Sequence, residues 1–260
     1  MSGIDEIARP ALQGKVAVVT GGASGVGLGI AREFVENGAR VVITDLAREP
    51  LDQAVAQIGP NCLGIVADVT KLADMQAVYQ QVTEHYGRLD AVVANAGIGA
   101  HAPLESITEE QFDRTFNVNA KGVLFTVQPA LPLLAPGGTV VVIGSTASIQ
   151  PPRGMSLYGG SKAAVRNFIR VWIQDTKGSG IRMNVLSPGA VDTESLRSAL
   201  AMAQGADQVQ AAVRAMGEGN PLGRIADPRE MGKAAVFLSS EASSFITGVE
   251  LFVDGGLAQI

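Results

Sequence analysis

Residues 16 to 29 read Val16-Ala17-Val18-Val19-Thr20-Gly21-Gly22-Ala23-Ser24-Gly25-Val26-Gly27-Leu28-Gly29, and this stretch decides the fold. A β-branched run stops at a cluster of glycines, and an amphipathic helix then opens through Ala31, Phe34 and Val35. Strand, tight turn and helix in that order form the first half of a βαβ unit. Glycines permit backbone torsions closed to other residues and let a pyrophosphate approach the helix N-terminus, where free amides and the dipole favour negative charge. The spacing Gly21, Gly25, Gly27 departs from the G-x-G-x-x-G dinucleotide fingerprint. A merely tight glycine-rich turn is therefore the competing reading.

Outward from this turn the pattern repeats. Strand candidates fall at Val16–Thr20, Arg40–Thr44, Gly64–Ala67, Leu89–Val93, Thr139–Ile143, Ile181–Leu186 and Val249–Val253, separated by segments of helical period. The alternation predicts an α/β, Rossmann-like doubly wound sheet of seven mainly parallel strands with helices on both faces. Asp227-Pro228-Arg229-Glu230 and Thr108-Glu109-Glu110-Gln111 read as capping boxes that start two of the helices. A helix is also expected after Asn119, through Val123, Leu124, Val127, Leu131 and Leu134. No tandem repeat or low-complexity linker divides the 260 residues, so one domain is expected over residues 1–260. Residues 1–13 read as a short polar leader, and 194–224, the least patterned stretch, as a mobile helical flap over the site.

Composition narrows the partners. Apolar residues make up 47% and charged residues 17%, a balance that excludes disorder. With 25 acidic against 20 basic residues and no basic run, nothing in the chain attracts nucleic acid or an anionic membrane, so a small molecule is the expected partner. The apolar stretch 122–134 is interrupted by Pro129 and Pro132 and is too short to span a bilayer. One cysteine, Cys62, admits no internal disulfide, and residues 1–13 lack a signal-peptide pattern, so a cytoplasmic location is expected. Cys62 itself reads as a buried small hydrophobe. His85 reads as a surface residue, and His101 either lines a substrate mouth or lies in a solvated loop. Two distant histidines and one cysteine offer no metal-ligand spacing, so no metal is expected.

Two further constellations carry chemistry. The second strand ends at Asp45, at the distance where an acidic side chain binds an adenosine ribose diol and repels a 2′-phosphate. With Ser24 rather than a basic residue before Gly25, NAD is favoured over NADP; nearby Arg48 reads as a solvated arginine at a helix start. Tyr158-Gly159-Gly160-Ser161-Lys162 opens a helix that places Tyr158 and Lys162 a turn apart on one face. There the ammonium is expected to favour the phenolate. Ser145, just past the fifth strand, has a hydroxyl suited to hold a substrate oxygen while Tyr158 passes the proton.

The order Thr20-Gly21-x-x-x-Gly25-x-Gly27, Asp68-Val69, Asn95-Ala96-Gly97, Asn119, Ser145, Tyr158-x-x-x-Lys162 and Pro188-Gly189-x-x-x-Thr193 resembles the short-chain dehydrogenase/reductase family. The resemblance runs from Gly14 to the closing Asp254-Gly255-Gly256. It implies that Asp68 and Val69 meet adenine, that Asn95 to Gly97 support the strand beside the cofactor, and that Val191 and Thr193 hold the carboxamide. Lys162 is implied to bind the nicotinamide ribose as well. Asn119 matches the family's helix-kink asparagine, whose backbone helps hold a water linking Lys162 to solvent. Ser24, Val26, Leu46, Pro188 and Gly189 complete the expected cofactor set, and Asn119, Ser145, Tyr158 and Lys162 the catalytic set. No position departs from the pattern.

The expectation is therefore an NAD-dependent oxidoreductase that interconverts a secondary alcohol and a ketone, with Tyr158 as acid/base. The resemblance also implies a homotetramer paired through the helices after Asn119 and Tyr158. Open alternatives are a 3-oxoacyl thioester reductase, a sugar dehydrogenase, a non-catalytic NAD-binding sensor or scaffold, and a sugar-nucleotide epimerase or dehydratase on a related fold.

Overall fold

The computed structural model describes residues 10–259, so the expected leader over residues 1–9 lies outside the described residues. Pro10 to Gln13 are tied into the fold: Leu12 is buried, and its N–H donates to the Asn37 carbonyl at 2.9 Å. The strands are β1 (Val16–Thr20), β2 (Arg40–Asp45), β3 (Cys62–Val66), β4 (Leu89–Ala94), β5 (Leu134–Ile143), β6 (Arg182–Pro188) and β7 (Glu250–Val253). They form one seven-stranded sheet of order β3-β2-β1-β4-β5-β6-β7, and every pairing is parallel. The helices are α1 (Gly25–Glu36), α2 (Arg48–Ile58), α3 (Leu72–Tyr86), α4 (Glu109–Phe116), α5 (Gly122–Val127), α6 (Ser156–Asp175), α7 (Glu194–Gln204), α8 (Val209–Glu218) and α9 (Pro228–Ser239).

Two cores follow directly from the period of two in the strands. Val16 and Val18 of β1, with Val140 and Val142 of β5, pack on Met75, Tyr79, Val123, Val165 and Ile169 of α3, α5 and α6. Their neighbours Ala17, Val19, Val141 and Ile143 pack on Ile30, Phe34, Leu51, Met231 and Ala235 of α1, α2 and α9. Close approach of α1 to α9 requires glycine: a Cβ on Gly29 would stand 2.5 Å from the Pro228 carbonyl oxygen, and one on Gly232 2.7 Å from the Gly29 oxygen. Both capping boxes form. Thr108 exchanges bonds with Gln111, and Asp227 with the first turn of α9 and Glu230.

The largest difference from the sequence reading follows Asn119. In place of one helix reaching Leu134, a π-helical turn (Asn117–Lys121) leads into α5, which stops at Val127. A 3₁₀ segment (Gln128–Leu133) succeeds it, and Leu134 already pairs with Leu89 in the sheet. Pro129 and Pro132 lack the N–H that an α-helix needs there. Strand ends also shift. β3 begins at Cys62 because Cys62 and Leu63 pair with Val41 and Val42, and β6 runs on to Pro188 because β7 continues alongside it to Val253. Residues 194–224 are helical in α7 and α8.

Phe34 is fully buried between β1 and the α1–α9 pair. Phe34→Ala is expected to cost about 3–5 kcal/mol of unfolding free energy, read as a lowered urea midpoint with an unchanged slope.

Candidate functional site

In a parallel sheet all the carboxyl ends lie on one edge, and the order of this sheet changes direction between β1 and β4. That is the crevice where open α/β sheets hold ligands. Apart from Asn119, Tyr158 and Lys162, which lie on helices, the sequence-predicted residues end or follow strands on this edge: Gly21 to Gly27 after β1, Asp45 and Leu46 at the end of β2, Asp68 and Val69 after β3, and Asn95 to Gly97 after β4. Ser145 follows β5, and Pro188 to Thr193 end and follow β6.

The β1–α1 turn is shaped by what its glycines lack. Gly21 and Gly25 have φ of +64° and +52°. A Cβ on Gly27 would stand 2.1 Å from the Gly21 oxygen and 2.5 Å from Asn95 Nδ2, so only glycine fits. Asn95 Nδ2 donates to the carbonyls of Thr20 (2.9 Å) and Gly21 (3.0 Å), while the N–H groups of Asn95 and Ala96 donate to Thr20 Oγ1. The β4 end is thus bolted to the turn. Thr20 was quoted with the turn but given no role, and its place as the last residue of a strand is the signal that was available. Among the described residues no side chain caps the N-terminus of α1, where Ser24 is extended and exposed, so its first amides remain available to an anion. Val26 lies half-buried in the first turn of α1.

Asp45 is half-buried and faces this turn. Its Oδ2 accepts from Ala23 N at 3.2 Å and its Oδ1 from Leu46 N at 2.8 Å, while the Leu46 side chain is exposed. Arg48 starts α2 and pairs with Asp52 on the exposed helix surface at 3.7 Å. Asp68 accepts from Thr70 N and Oγ1 at 2.9 and 2.7 Å, and Val69 is buried against the place where a Gly122 Cβ would be. Gly189 packs on Asp254, Val191 is buried and bridges to Ala226, and Thr193 caps α7. The Thr193 methyl would be 3.3 Å from a Cβ on Gly25, which places the start of α7 across the glycine turn.

The predicted catalytic residues are assembled by α6. Tyr158 and Lys162 lie on its first turns, and Lys162 Nζ is 5.8 Å from the Tyr158 ring centroid. The Ser145 hydroxyl lies close enough to the Tyr158 phenol to act on its pKa, and it is held in place by accepting from Ala147 N at 3.1 Å. Lys162 is buried, and its ammonium donates to the Ile143 carbonyl at 2.8 Å. Burial pulls that ammonium down to about 8. Burial also pushes the Tyr158 phenol above its ordinary value, against a smaller downward pull from Ser145. The lowering expected from Lys162 is not among the causes of this shift, whose direction is set by desolvation of the phenolate.

Asn119 lies in the π-helical turn, fully buried. Its Oδ1 accepts from Ile98 N (2.8 Å), and its Nδ2 donates to the Ile98 carbonyl (2.9 Å) and to Ser161 Oγ (3.0 Å). The side chain is fully committed, which leaves its backbone for any part in proton supply. Ser161, which the sequence reading passed over, donates to the Tyr158 carbonyl at 2.7 Å and so ties Asn119 to the start of α6. A Cβ on Gly97 would meet both Asn119 Oδ1 and Lys162 Nζ, at 3.3 and 3.4 Å. A cavity of about 230 Å³ opens beside Leu157, lined by Ile98 to Ala102 with Gln111, Arg114 and Thr115 of α4; Ser145 and Tyr158 are not among its walls. His101 stands against Gly154 at its rim. Among the described residues no cluster of three metal-ligating side chains forms, and no helix is long and apolar enough to cross a membrane.

Comparison with known proteins agrees with this geometry. The profile of a family described as Enoyl-(Acyl carrier protein) reductase matches residues 21–258. The oxidoreductase asL5 of Sarocladium schorii is 45% identical over 96% of this chain and 98% of its own. The hydroxynaphthalene reductase arp2 of Aspergillus fumigatus is 35% identical over 91% and 90%. Among solved structures, ligand-free aldohexose dehydrogenase of Thermoplasma acidophilum superposes with a TM-score of 0.90 at 29% identity, covering 97% of each chain. The 3-ketoacyl-(acyl-carrier-protein) reductase of Brucella melitensis, complexed with NADH, does so with a TM-score of 0.84 at 30% identity over 95% and 99%. A parallel sheet of this order, a glycine turn at its switch point and relatives spanning nearly all of the chain lead to one conclusion: the protein is an oxidoreductase of the short-chain dehydrogenase/reductase family.

Proposed function

We propose that the chain interconverts a ketone and a secondary alcohol with NAD as its cofactor, and that Tyr158 is the acid/base. The observation that carries this reading is the Tyr158 phenol beside the Ser145 hydroxyl, with the buried Lys162 ammonium next to its ring. The glycine turn fits a dinucleotide, since side chains at Gly21 or Gly27 would fill the space over Ala96 and Asn95. Gly21, Ser24, Gly25, Val26 and Gly27 would hold its pyrophosphate, Asp45 and Leu46 its adenosine ribose, and Asp68 and Val69 its adenine. Asn95 to Gly97, Pro188, Gly189, Val191, Thr193 and Lys162 would surround its nicotinamide half. Once bound, the nicotinamide supplies or accepts a hydride at the substrate carbon. Ser145 holds the substrate oxygen and Tyr158 gives it the proton, or takes it in the reverse direction.

The electrostatics suit reduction. A phenol raised by burial retains its proton at neutral pH and is ready to donate it. The name of the Aspergillus relative supports a ring ketone as the substrate class, and the apolar part of the cavity, Ile98, Ala100, Ala102 and Leu157, favours a compact, largely neutral molecule. Asp45 supports NAD over NADP, since its carboxylate would lie against a 2′-phosphate. We place the protein in the cytoplasm, as a homotetramer in which the exposed Val171 and half-buried Phe168 and Trp172 of α6 meet another subunit.

The deciding experiment follows absorbance of the reduced nicotinamide across a panel of ring ketones, 3-oxoacyl thioesters and sugars with each cofactor. Tyr158→Phe is expected to lower kcat by roughly 10²–10⁴ while NADH still binds, as measured by fluorescence titration; unchanged turnover would rule out the mechanism. Asp45→Ala is expected to weaken NADH and improve NADPH, so that the ratio of their kcat/KM values moves at least about tenfold toward NADPH, which is ~1.4 kcal/mol. The pH profile of reduction should be flat in the acid range and fall as pH rises through about 8, where Lys162 loses its charge, and further as Tyr158 ionises. A profile that rises through that range would contradict the assignment.

A further inference from the structure

Of three consecutive residues at the end of β5, two meet α6 directly, and the third lies against a chain of contacts that reaches α6 through Ser187 and Glu250. Ile143 gives its carbonyl to Lys162 Nζ at 2.8 Å, and Ser145 meets the Tyr158 phenol. Between them, Gly144 leans on β6: a Cβ there would stand 2.3 Å from Ser187 Oγ, so that hydroxyl occupies the space beside it. Ser187 is fully buried and donates to Glu250 Oε1 of β7 at 2.7 Å. Glu250 Oε2 in turn lies 2.5 Å from Arg166 Nε on α6, one turn beyond Lys162. The Arg166 approach falls outside the angle of a directed hydrogen bond, so charge holds this pair. Longer contacts close the ring, from Ser148 Oγ to Glu250 Oε1 (3.4 Å) and from Arg166 to the Ser148 carbonyl (3.5 Å). Ser148 ends the short helical turn that Ser145 caps.

We propose that Arg166 and Glu250 are positioning residues for the reaction, setting the distance between Ser145 and Tyr158 by tying the helix that carries the phenol to the strand floor beneath Gly144. Both side chains are mostly buried, at 28% and 14% exposure, so the pair is poorly screened and resists sliding. Neither touches the reacting atoms. They act through Ser187 and Ser148 on the turn that carries the Ser145 hydroxyl.

The inference rests on Tyr158 and Ser145 doing the chemistry, and its test separates the two claims. Arg166→Met, Glu250→Gln, their double variant and Arg166→Lys are compared with wild type and with Tyr158→Phe, using the ketone that gives the highest turnover. Each single variant is expected to lower kcat on the order of tenfold, as small misplacements of reacting groups do, with the KM for NADH unchanged. The double variant is expected to be no worse than the worse single, and Arg166→Lys to recover most of the rate. Ultraviolet titration supplies a readout free of substrate: the phenolate signal absent from Tyr158→Phe, one of three tyrosines in the chain, should move to higher pH when Ser145 loosens its hold. Should the charge variants fail to fold, Ser187→Ala cuts the same relay gently and is expected to show a smaller loss of kcat and the same direction of titration shift. A full kcat and an unmoved phenolate titration in folded variants would overturn the proposal, as would losses that multiply in the double variant. If Tyr158→Phe itself kept its turnover, the reading of the active site would fall instead.

Discussion

Both faces of the sheet are sealed by helices, and that constraint governs where chemistry can happen. β1 is at most 1% exposed along its whole length, and Val140 to Val142 of β5 are fully buried. A polar or ionisable group placed mid-strand would need a partner or cost several kcal/mol, on the order of the penalty for burying an unpaired polar group. Functional side chains are therefore pushed to the carboxyl ends, where strands stop and loops begin. Because every strand is parallel, those ends share one edge, and residues far apart in sequence converge there.

At that edge burial continues to act, now on charge. Lys162 is one of the few charged groups inside the molecule, and its ammonium is tolerated because the Ile143 carbonyl accepts from it. The same burial depresses its proton affinity and raises that of Tyr158, so the two groups are driven apart on the pH scale. A lysine and a tyrosine whose ordinary values lie near 10 are thereby brought to different sides of their usual behaviour. Near neutral pH the phenol keeps its proton, while the lysine comes close to giving its own up.

Much of this was legible in the sequence because it is local. The glycine turn announces itself through Gly21, Gly25 and Gly27, whose positive φ values or missing side chains no other residue can supply. The two capping boxes are likewise written within four residues each. Strand existence was clear from β-branched runs, but strand ends were not, because partner strands decide where pairing stops: Cys62 joins β3 only through Val41. The helix after Asn119 was misjudged for a related reason. Its apolar period persists through Leu131 and Leu134, while the π turn and the prolines quietly break the hydrogen-bond ladder. Period reports which face is buried and says little about which backbone bond is made. Tyr158, Lys162 and Ser145 could be singled out as chemical types; that burial rather than the lysine's charge dominates the phenol depends on packing no local pattern encodes.

What local pattern cannot encode at all is a contact between elements that the chain reaches at different times. Thr20 to Asn95, Asn119 to Ser161 and Arg166 to Glu250 are each an ordinary pair of polar residues until the sheet closes. All three do the same kind of work. Each joins residues of two different strands or helices, and each is buried enough that leaving one partner alone would cost more than the bond itself gains. Such pairs hold for the same reason the core is stable: their polar groups have little water to fall back on. The surface of the helical pair α7–α8, by contrast, is largely exposed.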